Sequence, residues 1–546
     1  MFYSLFAIMY LSLAAAIVAD LPLGGAGLLP TAIAFIVTSF DNVKRPQWRV
    51  VWIFTGGVTV FTFIIRAFSL SFFPDYHYFD EPWILSIIAG YVETGAFVDR
   101  IMLNLDPEIM TWAMPKHYIA VAHWMEIAGV GIWQGRFYHL VLSFIIILLT
   151  SLAAQQLYDR KTALFTTYFM IGSTIMVGVA QFRHEAPLMV SIAASLLLFS
   201  IASNRGSNWL HLLAGFVMGL GGFGHLNAVW FGPLMLAGLY GPGWAANISQ
   251  RKFGPPVSMV IYGVGGMLSG ALVLWIVVLP DFEHLAHYFS SRVTQAEESI
   301  ATRTSQHIVN IFYGSLIEFM LFIFATVVAL RRGSSNDWRL LTILILGVIT
   351  LGFTAVGEAF HYIRLIIPIY SILIGAMFGI WIGRDRSQLY KTRHISIGIL
   401  ILTVPMFQML STPLRHMLAG EPIIPPPPAT TTWLRNNIAC DDLIVNGPHY
   451  YYLWLHDAPF EYSSILIFDY LPRTLPYDGQ SELDIWNEIQ PHYVVVNQDQ
   501  PTYQFQSMIN PVFLWWQGYE PVNVLMEAND NVIIYAHTDK IEQICR

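Results

Sequence analysis

The sequence predicts a polytopic α-helical membrane protein, with about 13 transmembrane helices and a C-terminal α/β domain outside the cytoplasm. Three observations carry that prediction. Of 546 residues, 55% are hydrophobic and only 12% charged, where a soluble chain carries roughly 25% charged residues. Apolar runs recur through the first three quarters of the chain, each long enough for one crossing of a hydrocarbon core about 30 Å thick. Beyond the proline run Pro425 to Pro428 the composition changes, and short helical and strand patterns alternate. A net charge of −8 offers no broad basic surface, so no nucleic-acid partner is expected.

The apolar runs lie near 2–19, 24–40, 50–72, 136–157, 162–180, 186–203, 208–223, 226–244, 256–280, 308–330, 338–356, 361–382 and 394–413. The first lacks a basic n-region and a small-residue cleavage site, so it reads as a retained helix. Basic residues set the orientation. Lys44, Arg45 and Arg49 share one loop; Arg160 with Lys161, Arg205, and Arg251 with Lys252 occupy later ones. Arg331, Arg332 and Arg339 follow, then Arg384, Arg386, Lys391 and Arg393. With the N-terminus inside, every cluster falls on the cytoplasmic face. The run 117–130 is apolar enough for a helix, yet a crossing there would invert all later clusters, so it reads as a helix along the outer surface.

The domain plan follows. Residues 1–49 hold two N-terminal helices, 50–420 form the main membrane domain with an outer loop at 73–135, 421–429 are a stiff Pro-rich linker, and 430–546 are the outer domain. Within the outer loop, Trp83, Ile84, Ile87, Ile88 and Tyr91 recur at helical spacing, as in an amphipathic helix that lies in the membrane interface. A second outer segment, 281–307, mixes acids, histidines and arginines. In the last domain 431–438 and 482–489 read as helices, and 442–447, 463–469, 493–496 and 531–536 as strands. Cys440 and Cys545 bracket it on an oxidising side in this topology, leaving either a disulfide or two buried thiols.

Chemistry concentrates where the outer loop begins, in Pro74-Asp75-Tyr76-His77-Tyr78-Phe79-Asp80-Glu81-Pro82. An acidic pair beside a membrane exit is costly to keep near lipid unless a watery cavity or a reaction uses it. Asp80 is expected to be a catalytic base. Other polar residues at the same face are Lys116, Arg183-His184-Glu185, His225 and Asn227, Glu358, His361 and Arg364, with Arg66 inside the third span. Acids can take a proton and cations can hold a phosphate, so the set suits transfer from a phosphate leaving group.

On these residues the chain resembles the GT-C glycosyltransferases, and among them the protein O-mannosyltransferase and aminoarabinose transferase group. Asp80-Glu81 after an early span looks like that family's acidic motif. Pro115-Lys116-His117-Tyr118 is similar to its Lys/Pro–Tyr segment, and Arg136 begins the next span. Tyr158-Asp159-Arg160-Lys161 resembles its inner turn, Phe182-Arg183-His184-Glu185-Ala186-Pro187 its second acidic motif, and His361-Tyr362-Ile363-Arg364 before Pro368 a late Arg–Pro element. The family usually has Asp where this chain has Glu185, and two spans precede its usual first one. The resemblance implies an integral membrane enzyme with a polyprenyl-phosphate sugar donor, an acceptor that is protein, glycan or lipid, and an inverting mechanism. It casts Asp80, Glu81 and Glu185 as the catalytic carboxylates. Lys116, Arg183, Arg364 and His361 hold the donor phosphate, and His77, Tyr118, His184, Arg66 and Glu358 line the cavity. The expected location is the plasma membrane of a prokaryote, with the N-terminus cytoplasmic.

Blander readings stand beside these. Asp80 and Glu81 before Pro82 can simply favour the start of a helix through its dipole, and Lys116 can snorkel to the interface. Arg183 with Glu185, and Arg364 with Glu358, can be structural ion pairs; His225 and Asn227 read as a satisfied polar turn; Arg66 reads as the partner of an acid. Asp80, Glu81, His77 and Glu185 are ligand types that hard cations such as Mg or Mn accept. Their spacing is not diagnostic, so no tightly bound metal is expected and a divalent cation stays open. The rival function classes are a transporter, which tends to show repeats and broken helices at the midplane, and a non-catalytic scaffold that displays the C-terminal domain.

Overall fold

A computed structural model of the chain describes residues 48–70, 80–95, 117–180, 184–225, 227–249, 254–282, 316–354, 362–383, 402, 429–437, 442–446, 463–465, 481–497, 511–527 and 530–539. The spans expected at 2–19, 24–40 and 394–413, the linker, and Cys440 and Cys545 lie outside that set, apart from residues 402 and 429. The chain divides into two compact units, Met1–Phe72, His139–Ile276 and Ala296–Ile423 in one, Phe73–Tyr138, Val277–Gln295 and Ile424–Arg546 in the other.

The first unit is helical. Its elements are α1 (Trp48–Ser69), most of α4 (Ile132–Leu157), α5 (Arg160–Gly172), α6 (Thr174–Gly178), α7 (Glu185–Arg205), α8 (Asn208–Leu220), α9 (Ala228–Ser249), α10 (Val257–Val273), α11 (Leu316–Arg332), α12 (Ser335–Thr354) and α13 (Ile367–Gly383). Among the described residues four helices are long and apolar enough to cross a membrane: Ile132–Leu157, Glu185–Arg205, Val257–Val278 and Ile363–Trp381. The turn between α7 and α8 is tight because Gly206 takes a left-handed φ of 65° and caps α7 through its N–H to the Ala202 carbonyl. Small residues then bring α8 against α10. A Cβ at Gly215 would collide with the Tyr262 carbonyl, and one at Gly265 with the Leu212 carbonyl, so the two backbones touch where only glycine fits. Dispersion contacts at that distance do what hydrophobic exclusion cannot do among lipid tails.

The stretch expected as one span at 162–180 is interrupted. Asp159 caps the start of α5 by accepting from the Thr162 N–H at 2.8 Å. The helix ends at Gly172, Ser173 is extended (φ −70°, ψ 130°), and the short α6 follows. A break of this kind frees carbonyls that lipid cannot satisfy. Here Arg66 Nη2 donates to the Ile171 carbonyl at 2.5 Å, while Ser173 Oγ takes the Met176 N–H at 3.2 Å and donates its own proton to Glu318 Oε2 at 2.9 Å. Arg66 therefore meets a carbonyl of the broken helix, a partner that the expected pairing with an acid did not foresee.

Below this core, the α11–α12 turn is tied to the α4–α5 turn. Ser334 caps α12 in a capping-box arrangement with Asp337, which accepts from Ser334 N and Oγ at 3.1 and 2.6 Å, from Tyr158 Oη at 2.8 Å and from Arg332 Nε at 2.5 Å. Burial pushes the Asp337 carboxyl up, but the hydrogen bonds from Arg332, Ser334 and Tyr158 and the Arg332 charge outweigh it and hold the group below the usual carboxylate range.

The second unit contains α2 (Asp80–Thr94), α3 (His117–Ala128), the beginning of α4, and the C-terminal elements. Helix α2 packs on α3. Ile84, Leu85, Ile87, Ile88 and Ala89 are all buried, an arc wider than the single apolar stripe read from the sequence. Trp133 and Trp124 both stack on Phe137, at 5.0 and 5.7 Å between ring centres, closing the corner between α3 and α4.

At the C-terminus α14 (Ala429–Asn437), β1 (Leu443–Asn446), β2 (Ser463–Ile465), α15 (Glu482–Ile489), β3 (Tyr493–Asn497), α16 (Pro511–Trp516), β4 (Tyr519–Glu527) and β5 (Asp530–His537) follow one another. The strands form one mixed sheet in the order β2-β1-β3-β5-β4, with β1 parallel to β2 and β3, and β5 antiparallel to β3 and β4. Trp486 of α15 is buried edge-on to Phe513 and Tyr519 at 5.3 and 5.7 Å, which seats α15 and α16 on the sheet. The strand β4 and the helix α16 were not read from the sequence.

Candidate active site

The acidic pair opens α2, with Asp80 as its first residue and Glu81 its second. Carboxylates there are favoured by the unsatisfied N–H groups of the first turn. Glu81 has a second, stronger partner. Its side chain and that of Arg136 are each 2% exposed, and they form a two-pronged ion pair, Nε to Oε1 at 3.0 Å and Nη2 to Oε2 at 2.5 Å. Planar, bidentate pairing is the strong form of this contact. Tyr118 is wholly buried on α3 in the same unit. Arg136 stood in the sequence only as the start of a span; its pairing with a residue 55 positions earlier carries no local signal.

In the helical unit a second cluster forms where α7 begins. Glu185 is its first residue and is buried. His184, just before it, lies with its ring 4.6 Å from that of His225, which in turn meets Tyr362 edge-on at 5.7 Å. The His225 turn is built on the three-residue 3-10 helix Gly221–Phe223: His225 N bonds the Gly221 carbonyl at 2.9 Å, and His225 Nδ1 accepts from the Asn227 N–H at 3.0 Å. Nδ1 of His225 is thus engaged within the polar turn read from the sequence. Arg364 is buried on the 3-10 turn Ile363–Ile366, its guanidinium lying alongside Gly178 at the end of α6. Glu318, whose carboxylate receives Ser173, was missed in the sequence, although an acid inside an apolar run is a signal in itself.

Of the other residues singled out, His77, Lys116, Arg183, Glu358 and His361 lie outside the described residues. Glu185, His184, Arg364 and Arg66 fall in one unit, and Asp80, Glu81 and Tyr118 in the other. Among the described residues no three His, Cys, Asp or Glu side chains gather as a metal site.

These features define a membrane-embedded helical protein with buried charge at its helix breaks and ends. Residues 115–265 match the family model described as dolichyl-phosphate-mannose-protein mannosyltransferase, a stretch that opens on Pro115 and contains Arg136 and Glu185. The fold is similar to that of ArnT from Cupriavidus metallidurans in the apo state, with a TM-score of 0.59 at 12% identity over 90% of this chain and 98% of that one. ArnT bound to undecaprenyl phosphate gives the same TM-score and identity over 88% and 97%. The oligosaccharyltransferase AglB from Archaeoglobus fulgidus, in complex with an inhibitory peptide and a dolichol-phosphate, gives 0.51 at 12% identity over 83% and 70%. No curated protein matches the sequence. The chain is thus an integral membrane protein with the GT-C fold, and it resembles the glycosyltransferases built on that fold.

Proposed function

We propose that this protein is a glycosyltransferase that moves a sugar from a polyprenyl-phosphate donor to an acceptor hydroxyl outside the cytoplasm, with inversion at the anomeric carbon. The observation that carries the reading is the fold likeness to ArnT over nearly the whole of both chains, including the form that binds undecaprenyl phosphate. The chemistry balances in one displacement. Asp80 takes the proton of the acceptor hydroxyl, the oxygen attacks the anomeric carbon, and the bond to phosphate breaks, so that polyprenyl phosphate leaves with the electron pair. Lys116, Arg183, Arg364 and His361 hold the charge that develops on the leaving phosphate, and Glu185 is the second carboxylate of the site. Glu81 is committed to Arg136, which supports Asp80 as the base of the acidic pair. The N-terminus is cytoplasmic and the C-terminal sheet lies outside, the orientation supported by the basic loops.

The transporter reading draws on the broken helix at Ser173, but the likeness to ArnT runs the length of the chain and favours transfer. The test is release of sugar from a panel of labelled polyprenyl-phosphate sugars by the purified protein, beside Asp80→Asn. Turnover of one donor, lowered about 10²–10⁴-fold in the variant, is expected. An Asp80→Asn protein that keeps its activity refutes the assignment, and survival of turnover in chelator checks the expected independence from a tightly held metal.

A further inference from the structure

We propose that Gly178 is a positioning residue for the donor phosphate: the absence of its Cβ is what seats the Arg364 guanidinium. This rests on the donor reading above, in which Arg364 holds the leaving phosphate. A Cβ built at Gly178 would stand 2.6 Å from Arg364 Nη2, 3.0 Å from Cζ and 3.2 Å from Nε. Three atoms of one planar group at such distances mean that the guanidinium lies broadside along this residue. Of the two sides the guanidinium is the one that gives, because it is the far end of a flexible side chain while the backbone on either side is held. Arg364 sits on a 3-10 turn whose neighbours Ile363, Leu365 and Ile366 are all buried, so its backbone is fixed.

Gly178 is held just as firmly, because α6 is pinned at its start. Ser173 Oγ accepts from Met176 N and donates to Glu318, and Arg66 grips the carbonyl of Ile171 on the other side of the break. Val179 N closes the far end on the Met176 carbonyl at 3.2 Å. The break in the helix thus presents a residue without a side chain to the cation. A methyl group at position 178 moves the charged head by several tenths of an ångström and leaves the backbone in place. Displacements of that size at a charge-holding group weaken binding without touching the base.

The experiment is a double-mutant cycle on the full-length protein, read by affinity for undecaprenyl phosphate and by KM and kcat with the donor found above. Gly178→Ala is expected to weaken undecaprenyl-phosphate binding and raise KM about tenfold, a coupling ordinary for residues in contact, with a smaller change in kcat. In an Arg364→Ala background the same glycine substitution is expected to change neither. An equal loss in both backgrounds overturns the inference while leaving the donor reading intact. A wild-type protein that binds no undecaprenyl phosphate overturns both. If Gly178→Ala does not fold, Arg364→Lys, whose ammonium clears the space, is expected to rescue it; failure of that rescue places the fault in the backbone and sinks the proposal.

Discussion

Removing Arg136 tests how the acidic motif is held. Its guanidinium and the Glu81 carboxylate are both 2% exposed, joined by contacts of 3.0 and 2.5 Å. In Arg136→Met the carboxylate stays buried and loses this cation. Breaking one side of a buried pair costs about 3–5 kcal/mol, roughly 10²–10⁴ in the folding equilibrium. Replacing both members with apolar residues of similar volume is neutral or stabilising by about 1–4 kcal/mol, because the desolvation of two charges is removed together. Glu81→Leu with Arg136→Met should therefore be more stable than either single variant. Unfolding of the full-length protein by denaturant, followed by tryptophan fluorescence, reads this directly. Two silent single variants, or a double variant as weak as the sum of the singles, would refute the account of the pair.

Other perturbations have equally definite outcomes. Ser173→Ala withdraws a donor from the buried Glu318 carboxylate and the cap from α6, and should lower stability by about 1–3 kcal/mol in the same titration. Gly265→Ala forces a methyl group into the Leu212 carbonyl and should cost about 1–3 kcal/mol, while Gly270→Ala on the same helix meets nothing within 4 Å and should be silent. Asp337, just ahead of the apolar run 338–356, is held below the usual carboxylate range when folded. A depressed folded value means stability that is present above the unfolded pKa and lost as pH falls through the folded one. The advantage of wild type over Asp337→Asn should therefore be full at neutral pH and shrink below about pH 4; an advantage that grows on acidification contradicts the sign.

The sequence discloses what hydropathy and periodicity can see. The helix at 80–94 is legible from Ile84, Ile87 and Ile88, and the buried strand from Tyr493 to Val496 from its run of β-branched residues. Those signals stop at the backbone. Gly172-Ser173-Thr174 is a short cluster of turn-forming residues inside the apolar run, but it is too brief to split the hydropathy signal, so the break that organises Arg66, Glu318 and Arg364 is read through as one span. The strand at 519–527 was obscured by Pro521, which a central strand would reject. The sheet tolerates it because β4 is an edge strand with an irregular register between Pro521 and Asn523. Among the site residues, individual charges could be named from their cost in lipid, but their partners could not. Glu81 and Arg136 are 55 positions apart, and only packing brings them together.

The division of the chain into two interleaved units also orders its assembly in time. The second unit is written in three instalments, 73–138, 277–295 and 424–546. A ribosome delivers residues at roughly 5–20 per second, so the first instalment waits tens of seconds for the last. During that wait the Glu81–Arg136 pair, complete within the first instalment, is a contact that can already form. A chain truncated before 424 would therefore carry the acidic motif and its arginine yet never close the unit that contains them. Its exposed surfaces would be the natural target of membrane-protein quality control.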